Sequence, residues 1–223
     1  MESASKTAII LGATGLTGGL LLTRLLADGS FGKILSFSRR PVGFKHPKLQ
    51  EHILDVLKLN EQAELFYADM VFCCIGTTRK KTPDKTLYRA IDLGIPQQAA
   101  LLCQRNRIET FMVISALGAN PDSWFFYNRL KGEMETGVLQ AQIPHTYILQ
   151  PSLILGPRQE QRWGEKIGAV LSKAGQFLMI GPFKKYRPIA AETIAACMHF
   201  LALNPYPIDR MASDKIAAIG KKY

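Results

Sequence analysis

Acidic residues are in short supply. The chain has 18 Asp and Glu against 28 Lys and Arg, a formal net charge of +10 over 223 residues. Such a surface attracts anions: nucleotides, acidic metabolites, membranes or nucleic acid. The basic residues are scattered, with small clusters only at Arg39-Arg40, Arg79-Lys80-Lys81, Lys184-Lys185 and Lys221-Lys222. No basic helix or aromatic-interleaved RNA motif is present, which argues against a nucleic-acid partner. Cysteine and histidine are sparse, four of each. Cys73 and Cys74 are adjacent, Cys103 and Cys197 are isolated, and His46, His52, His145 and His199 lack ligand spacing. No metal site is therefore expected. Long hydrophobic runs are also missing. Nothing approaches the roughly 18 apolar residues of a membrane span, and Arg24 interrupts the strongest stretch, residues 19–27. The opening MESASKTAIILGATG reads as a buried strand entering a turn, not as a secretory segment, so the expected compartment is the cytoplasm.

What remains is ordinary globular composition, enough to bury a core without disulfides or metals. Strand-like runs occur at 7–12, 33–38, 51–55, 69–75, 109–115 and 145–150. Helical patterns occur at 15–28, 59–66, 84–106 with a break near Gly94-Ile95-Pro96, 124–142, 163–174, 191–203 and 213–219. Several strands are continuously apolar, as strands covered on both faces are. Alternation of strand and helix predicts a single α/β domain over residues 1–223, a doubly wound parallel sheet of six or seven strands. Residues 156–190, rich in Gly, Pro and charge, form a substrate-side loop region. Ligands of such sheets bind beyond the carboxyl ends of the strands.

The first strand ends in GATGLTGG, where Gly12, Gly15 and Gly18 are spaced G-x-x-G-x-x-G. Glycine permits a tight turn and close approach of backbone to a pyrophosphate. The helix that follows aims its free N–H groups and positive dipole end at the phosphates. A strand before the triplet and a helix after it are the context that makes it a dinucleotide turn. No Gly-Lys-Ser/Thr follows, so a kinase-type phosphate loop is excluded. Twenty residues after Gly18, where an NAD site places an acid for the ribose hydroxyl, stands Ser38, followed by Arg39 and Arg40. Two guanidiniums suit a 2′-phosphate, which points to NADP(H). Asp55, ending the third strand, either meets the adenine amino group or caps the next helix.

In FFYNRLKGEME, Tyr127 and Lys131 stand four apart, on one face of a helix. A phenol near its ordinary pKa is a poor acid–base group at neutral pH, and an adjacent ammonium can tune it. Ser115 closes the fifth strand twelve residues before Tyr127, where it can hold a substrate carbonyl oxygen. Together these read as a Ser115–Tyr127–Lys131 proton relay.

With LGATGLTGG, SRRP, CCIGTTR, VISALGAN, YNRLKGEME and GPRQEQRWGE in this order, the chain resembles short-chain dehydrogenase/reductases of the atypical NAD(P)-binding branch. More narrowly, it is similar to the Tat-interactive protein family. The resemblance implies NADPH held by Thr14, Gly15, Leu16 and Thr17, with Arg39 and Arg40 at the 2′-phosphate. It also implies contacts from Ile75 and Gly76 after the fourth strand and from the loop at Pro151. Two departures stand out. Gln150-Pro151 replaces the Arg-Pro of many relatives, and SALGA has one serine where relatives carry two.

The function these readings favour is NADPH-dependent reduction of a carbonyl or enoyl-type small molecule, with an anionic one accommodated by Arg158 and Arg162 if these do not pair with Glu160 and Glu165. The alternative is an NADP(H)-sensing regulatory protein acting through a protein partner. Cys73 and Cys74 read as core residues, and Trp124, Phe125 and Phe126 as core or pocket wall.

Overall fold

The computed structural model describes residues 5–156 and 181–223. Strand β1 (Lys6–Leu11) leads through the glycine turn into helix α1 (Leu16–Ala27), then β2 (Phe31–Ser38) and β3 (Leu49–Ile53). A 3-10 segment (Val56–Leu65) connects to β4 (Met70–Cys73), and α2 (Lys85–Arg89), a single π-helical turn (Ala90–Gly94) and α3 (Ile95–Arg105) follow without interruption. Next come β5 (Thr110–Ile114), α4 (Phe126–Gln140), β6 (His145–Gln150) and β7 (Ile154–Leu155). After a 3-10 turn (Gly181–Tyr186) the chain ends in β8 (Ile189–Ala190), α5 (Ala191–Leu203), β9 (Arg210–Ala212) and α6 (Ser213–Gly220).

Seven strands form one parallel sheet in the order β3-β2-β1-β4-β5-β6-β9, and β7 pairs with β8 beside it. The order reverses between β1 and β4, which opens a crevice at their carboxyl ends. Alternation along each strand feeds two cores. Ala8, Ile10, Met70, Phe72 and Met112 face α1, α5 and α6, while Ile9, Leu11, Val71, Phe111 and Val113 face α3 and α4. The doubly wound expectation is met.

The differences are local. The helix expected over 59–66 is a 3-10 segment with non-helical backbone at Lys58 and Gln62. The break expected near Gly94-Ile95-Pro96 is a π turn through which the backbone continues into α3, with Pro96 in the first turn of that helix. Strands β7, β8 and β9 were not anticipated, because two- and three-residue strands carry no readable period. The helix expected at 163–174 lies outside the described residues.

Candidate active site

The glycine turn is built as its spacing requires. Gly12 has φ +90°, and a Cβ there would meet the Cys74 backbone at 2.9 Å. A Cβ at Gly18 would lie 2.2 Å from the Gly12 carbonyl oxygen, so strand and helix can approach this closely only without side chains. Gly15 donates its N–H to Gly12 O at 2.9 Å and serves as the N-cap of α1. No side chain caps α1 and no acid stands in its first turn, so its first amides and dipole are free for an anion. Thr14 is half-buried beside the turn and Thr17 is buried, while the Leu16 side chain packs closely over the backbone of Gly156. These residues fit a dinucleotide pyrophosphate.

Arg39 and Arg40 are exposed at the carboxyl end of β2, the neighbour of β1. Ser38 Oγ donates to Arg40 O at 2.6 Å and fixes that corner. Neither arginine pairs with an acid among the described residues. Asp55 lies two residues beyond the end of β3 rather than ending it, and its Oδ1 accepts from Leu57 N at 3.1 Å, which caps the 3-10 segment that follows. Ile75 and Gly76 follow β4 at the crevice, with Cys74 N bonded to Leu11 O. Pro151 is buried, and its carbonyl accepts from Leu117 N at 2.9 Å.

Tyr127 lies in the first turn of α4 and Lys131 one turn on. The Lys131 ammonium is buried and lies 2.9 Å from Asp92 Oδ1. Asp92 stands in the π turn, and its other oxygen accepts from Thr77 N at 2.8 Å. Single π turns often mark functional sites. Burial alone would lower the Lys131 pKa, but Asp92 and then Tyr127 more than offset this, leaving it above the ordinary lysine value. Crowding around the Tyr127 hydroxyl raises its pKa although 43% of the residue is exposed, Lys131 draws it partly back, and Asp92 raises it again. The net direction is up. The simple expectation of an ammonium that lowers the phenol is modified: Lys131 does lower it, but burial of the hydroxyl outweighs that, and Asp92 adds to the rise.

Ser115 is buried at the end of β5, but its hydroxyl donates to Glu135 Oε1 at 2.5 Å. Glu135, four residues beyond Lys131, also accepts from Gln150 Nε2 at 2.9 Å and Arg210 Nε at 3.1 Å. Asp92, Glu135 and Arg210, which the sequence reading did not single out, thus contact the candidate residues or their direct partners. Glu135 was detectable by extending the four-residue stripe one more turn. Asp92 and Arg210 had no local signal.

Trp124 and Phe125 are not core residues: they are 94% and 76% exposed, just before Tyr127. Phe126 packs edge-on against Tyr88. Cys73 is fully buried and burial pushes its thiol up to about 11, in keeping with a core role. Arg158 and Arg162 lie outside the described residues. No group of three or more potential metal ligands occurs among the described residues, nor any helix long and apolar enough to cross a membrane.

Comparison with known proteins gives three kinds of finding. No family model matches the chain. Protein HTATIP2 of Rattus norvegicus is 33% identical over 165 residues, 72% of this chain and 68% of that protein. The mitochondrial protein FMP52 of Debaryomyces hansenii is 31% identical over 207 residues, 89% of this chain and 88% of its own. Among solved structures, MoeE5 in complex with UDP-glucose and NAD superposes with a TM-score of 0.67 at 14% identity, over 97% of this chain and 81% of that one. A UDP-glucuronic acid 4-epimerase from Bacillus cereus in complex with NAD gives 0.65 at 15%, over 92% and 78%. At such identities the structures speak for the fold alone. The FMP52 proteins of several yeasts are mitochondrial, which overturns the expectation of a cytoplasmic protein. That expectation rested on missing apolar segments, and such an absence does not identify a compartment.

Proposed function

Because the chain belongs to the family of HTATIP2 and FMP52, atypical short-chain dehydrogenase/reductase proteins, we propose that it is an NADPH-dependent oxidoreductase that reduces a carbonyl or enoyl-type small molecule. The observation that carries this reading is the buried Lys131–Asp92 pair one helical turn from a partly exposed Tyr127. Tyr127 and Lys131 stand on the helix after β5 and Asp92 in the π turn before α3, in a fold whose glycine turn fits a dinucleotide.

NADPH, when bound, would supply the hydride. Gly12, Thr14, Gly15, Leu16, Thr17 and Gly18 would hold the pyrophosphate through backbone amides, and Arg39 and Arg40 the 2′-phosphate. Ile75, Gly76 and Pro151 would flank the remainder. Tyr127 gives its proton to the substrate oxygen as negative charge develops there. Its raised pKa keeps the proton on the phenol at neutral pH, which suits a donor and hence the reductive direction. Lys131 stabilises the phenolate left behind, and Asp92 holds Lys131 in place. A serine hydroxyl has one proton, and that of Ser115 serves Glu135. We therefore assign Ser115 to anchoring α4 rather than to orienting the substrate.

The test is loss of NADPH absorbance against aldehydes, ketones, quinones and enones, with wild type and Tyr127→Phe. Turnover that persists in Tyr127→Phe refutes the assignment. The exposed Trp124 and Phe125 beside Tyr127 favour a second reading, an NADP(H) sensor that docks a protein partner. Tight NADPH binding without turnover, and a partner captured in one redox state only, would select it.

A further inference from the structure

Glu135 is an acid the proposed proton transfer does not use, and it is almost wholly buried. Tyr127, Lys131 and Glu135 recur at four-residue steps and form one stripe on α4. Three side chains from three adjacent strands close on the Glu135 carboxylate: Ser115 from the end of β5, Gln150 from β6 and Arg210 from β9. A carboxylate is tolerated in such surroundings only when its charge is matched and its lone pairs are filled. The charge comes from Arg210, whose side chain remains 51% exposed and so loses little hydration. Gln150 donates to both oxygens, at 2.9 and 3.0 Å, but brings no charge. Arg210 supplies the cation from the next strand.

We propose that Glu135 and Arg210 form a positioning pair that ties α4 to three strand ends and thereby sets where Tyr127 and Lys131 stand. For its catalytic consequence the proposal rests on the reductive reading above. The leverage is geometric. Tyr127 lies eight residues from Glu135, about 12 Å along the helix axis, so a tilt of about 5° at Glu135 moves Tyr127 by about 1 Å. The Asp92–Lys131 pair anchors the same helix to the π turn, and Glu135 anchors it to the sheet.

The experiment compares wild type, Arg210→Lys, Arg210→Ala and the double variant Arg210→Ala/Glu135→Gln in the full chain. Arg210→Ala leaves a buried charge unmatched, and kcat is expected to fall about ten- to a hundredfold with NADPH affinity unchanged. The double variant removes that charge while the amide oxygen at 135 can still accept from Ser115 and Gln150, so kcat recovers part of the way toward wild type, and Arg210→Lys keeps it. Wild-type turnover in Arg210→Ala overturns the proposal. So does an impaired Arg210→Ala that the second substitution fails to restore, because loss of packing alone would not be rescued by removing a charge. If Arg210→Ala does not fold, recovery of fold and turnover in the double variant supports the pair, and no recovery overturns it. If the wild type binds NADPH but reduces nothing, the reductive reading falls by itself. The pair is then judged on Tyr127, titrated at alkaline pH by ultraviolet difference against matching Tyr127→Phe proteins. Its ionisation moves to higher pH in Arg210→Ala and returns in the double variant, whereas an unmoved titration overturns the proposal.

Discussion

Asp92 and Lys131 form an ion pair of 2.9 Å from which water is almost excluded, the two side chains being 1% and 4% exposed. Removing one partner of such a pair leaves an uncompensated buried charge, which costs about 3–5 kcal/mol. Asp92→Asn is therefore expected to lower stability by about that amount in urea unfolding, and a loss below about 1 kcal/mol, the range of exposed pairs, would contradict it. The pH dependence has a definite sign. Lys131 is raised above its ordinary 10.5 in the folded protein. The stability it contributes is fully present below that value and is lost only as pH rises through the higher folded one. In wild type this contribution should stay constant across neutral pH and be lost only in strong alkali.

The exposed arginines after β2 make a prediction about cofactor choice. A charge-assisted phosphate contact contributes about 1.5–3 kcal/mol, or roughly ten- to a hundredfold. NADPH should bind more tightly than NADH, and Arg39→Ala/Arg40→Ala should erase the preference by weakening NADPH alone. Nucleotide fluorescence titration measures both affinities. Equal affinities in the wild type would remove the 2′-phosphate assignment.

Tyr127→Phe should abolish turnover and leave NADPH affinity nearly unchanged, since the phenol acts mainly in the transition state. The raised phenol pKa adds a second expectation. With its proton retained through neutral pH, Tyr127 should impose no ionisation on kcat there, and its limb should appear only above the ordinary tyrosine value of 10.0. A Tyr127-dependent limb below neutrality would rule out a donor of this kind.

Gly18→Ala tests the turn. The added Cβ would lie 2.2 Å from the Gly12 carbonyl oxygen, and neither backbone can yield without opening the turn. NADPH affinity should drop at least about tenfold, ~1.4 kcal/mol. Gly29→Ala, with nothing within 4 Å, is the control and should bind as wild type does. Equal affinities by isothermal titration would show that the close approach does not matter for the nucleotide.

Much of this was legible in the chain because the signals were local. GATGLTGG encodes its turn through three glycines within seven residues, and the alternating faces of β1, β4 and β5 encode two cores. Tyr127 and Lys131 show themselves by helical spacing. What stayed hidden depends on distant partners. Asp92 and Lys131 are separated by 39 positions in sequence, and Glu135 and Arg210 by 75. No period or spacing encodes such a meeting. Ser115 was found by its place at a strand end, but the direction of its hydroxyl belongs to Glu135, a partner on another element.

The π turn at Ala90–Gly94 has a consequence for length variation in related chains. It is a helix carrying one surplus residue. Deleting any one of its five residues would restore ordinary helical winding and rotate α2 by about 100° relative to α3. Tyr88, whose hydroxyl reaches Thr77 O at 3.3 Å, and Arg89, which meets Glu133 at 2.8 Å, would both swing off their partners. A homologue could thus retain Tyr127, Lys131 and an acid aligned with Asp92, yet lose their arrangement through a one-residue gap. In this stretch chain length, as much as residue identity, separates an intact site from a broken one.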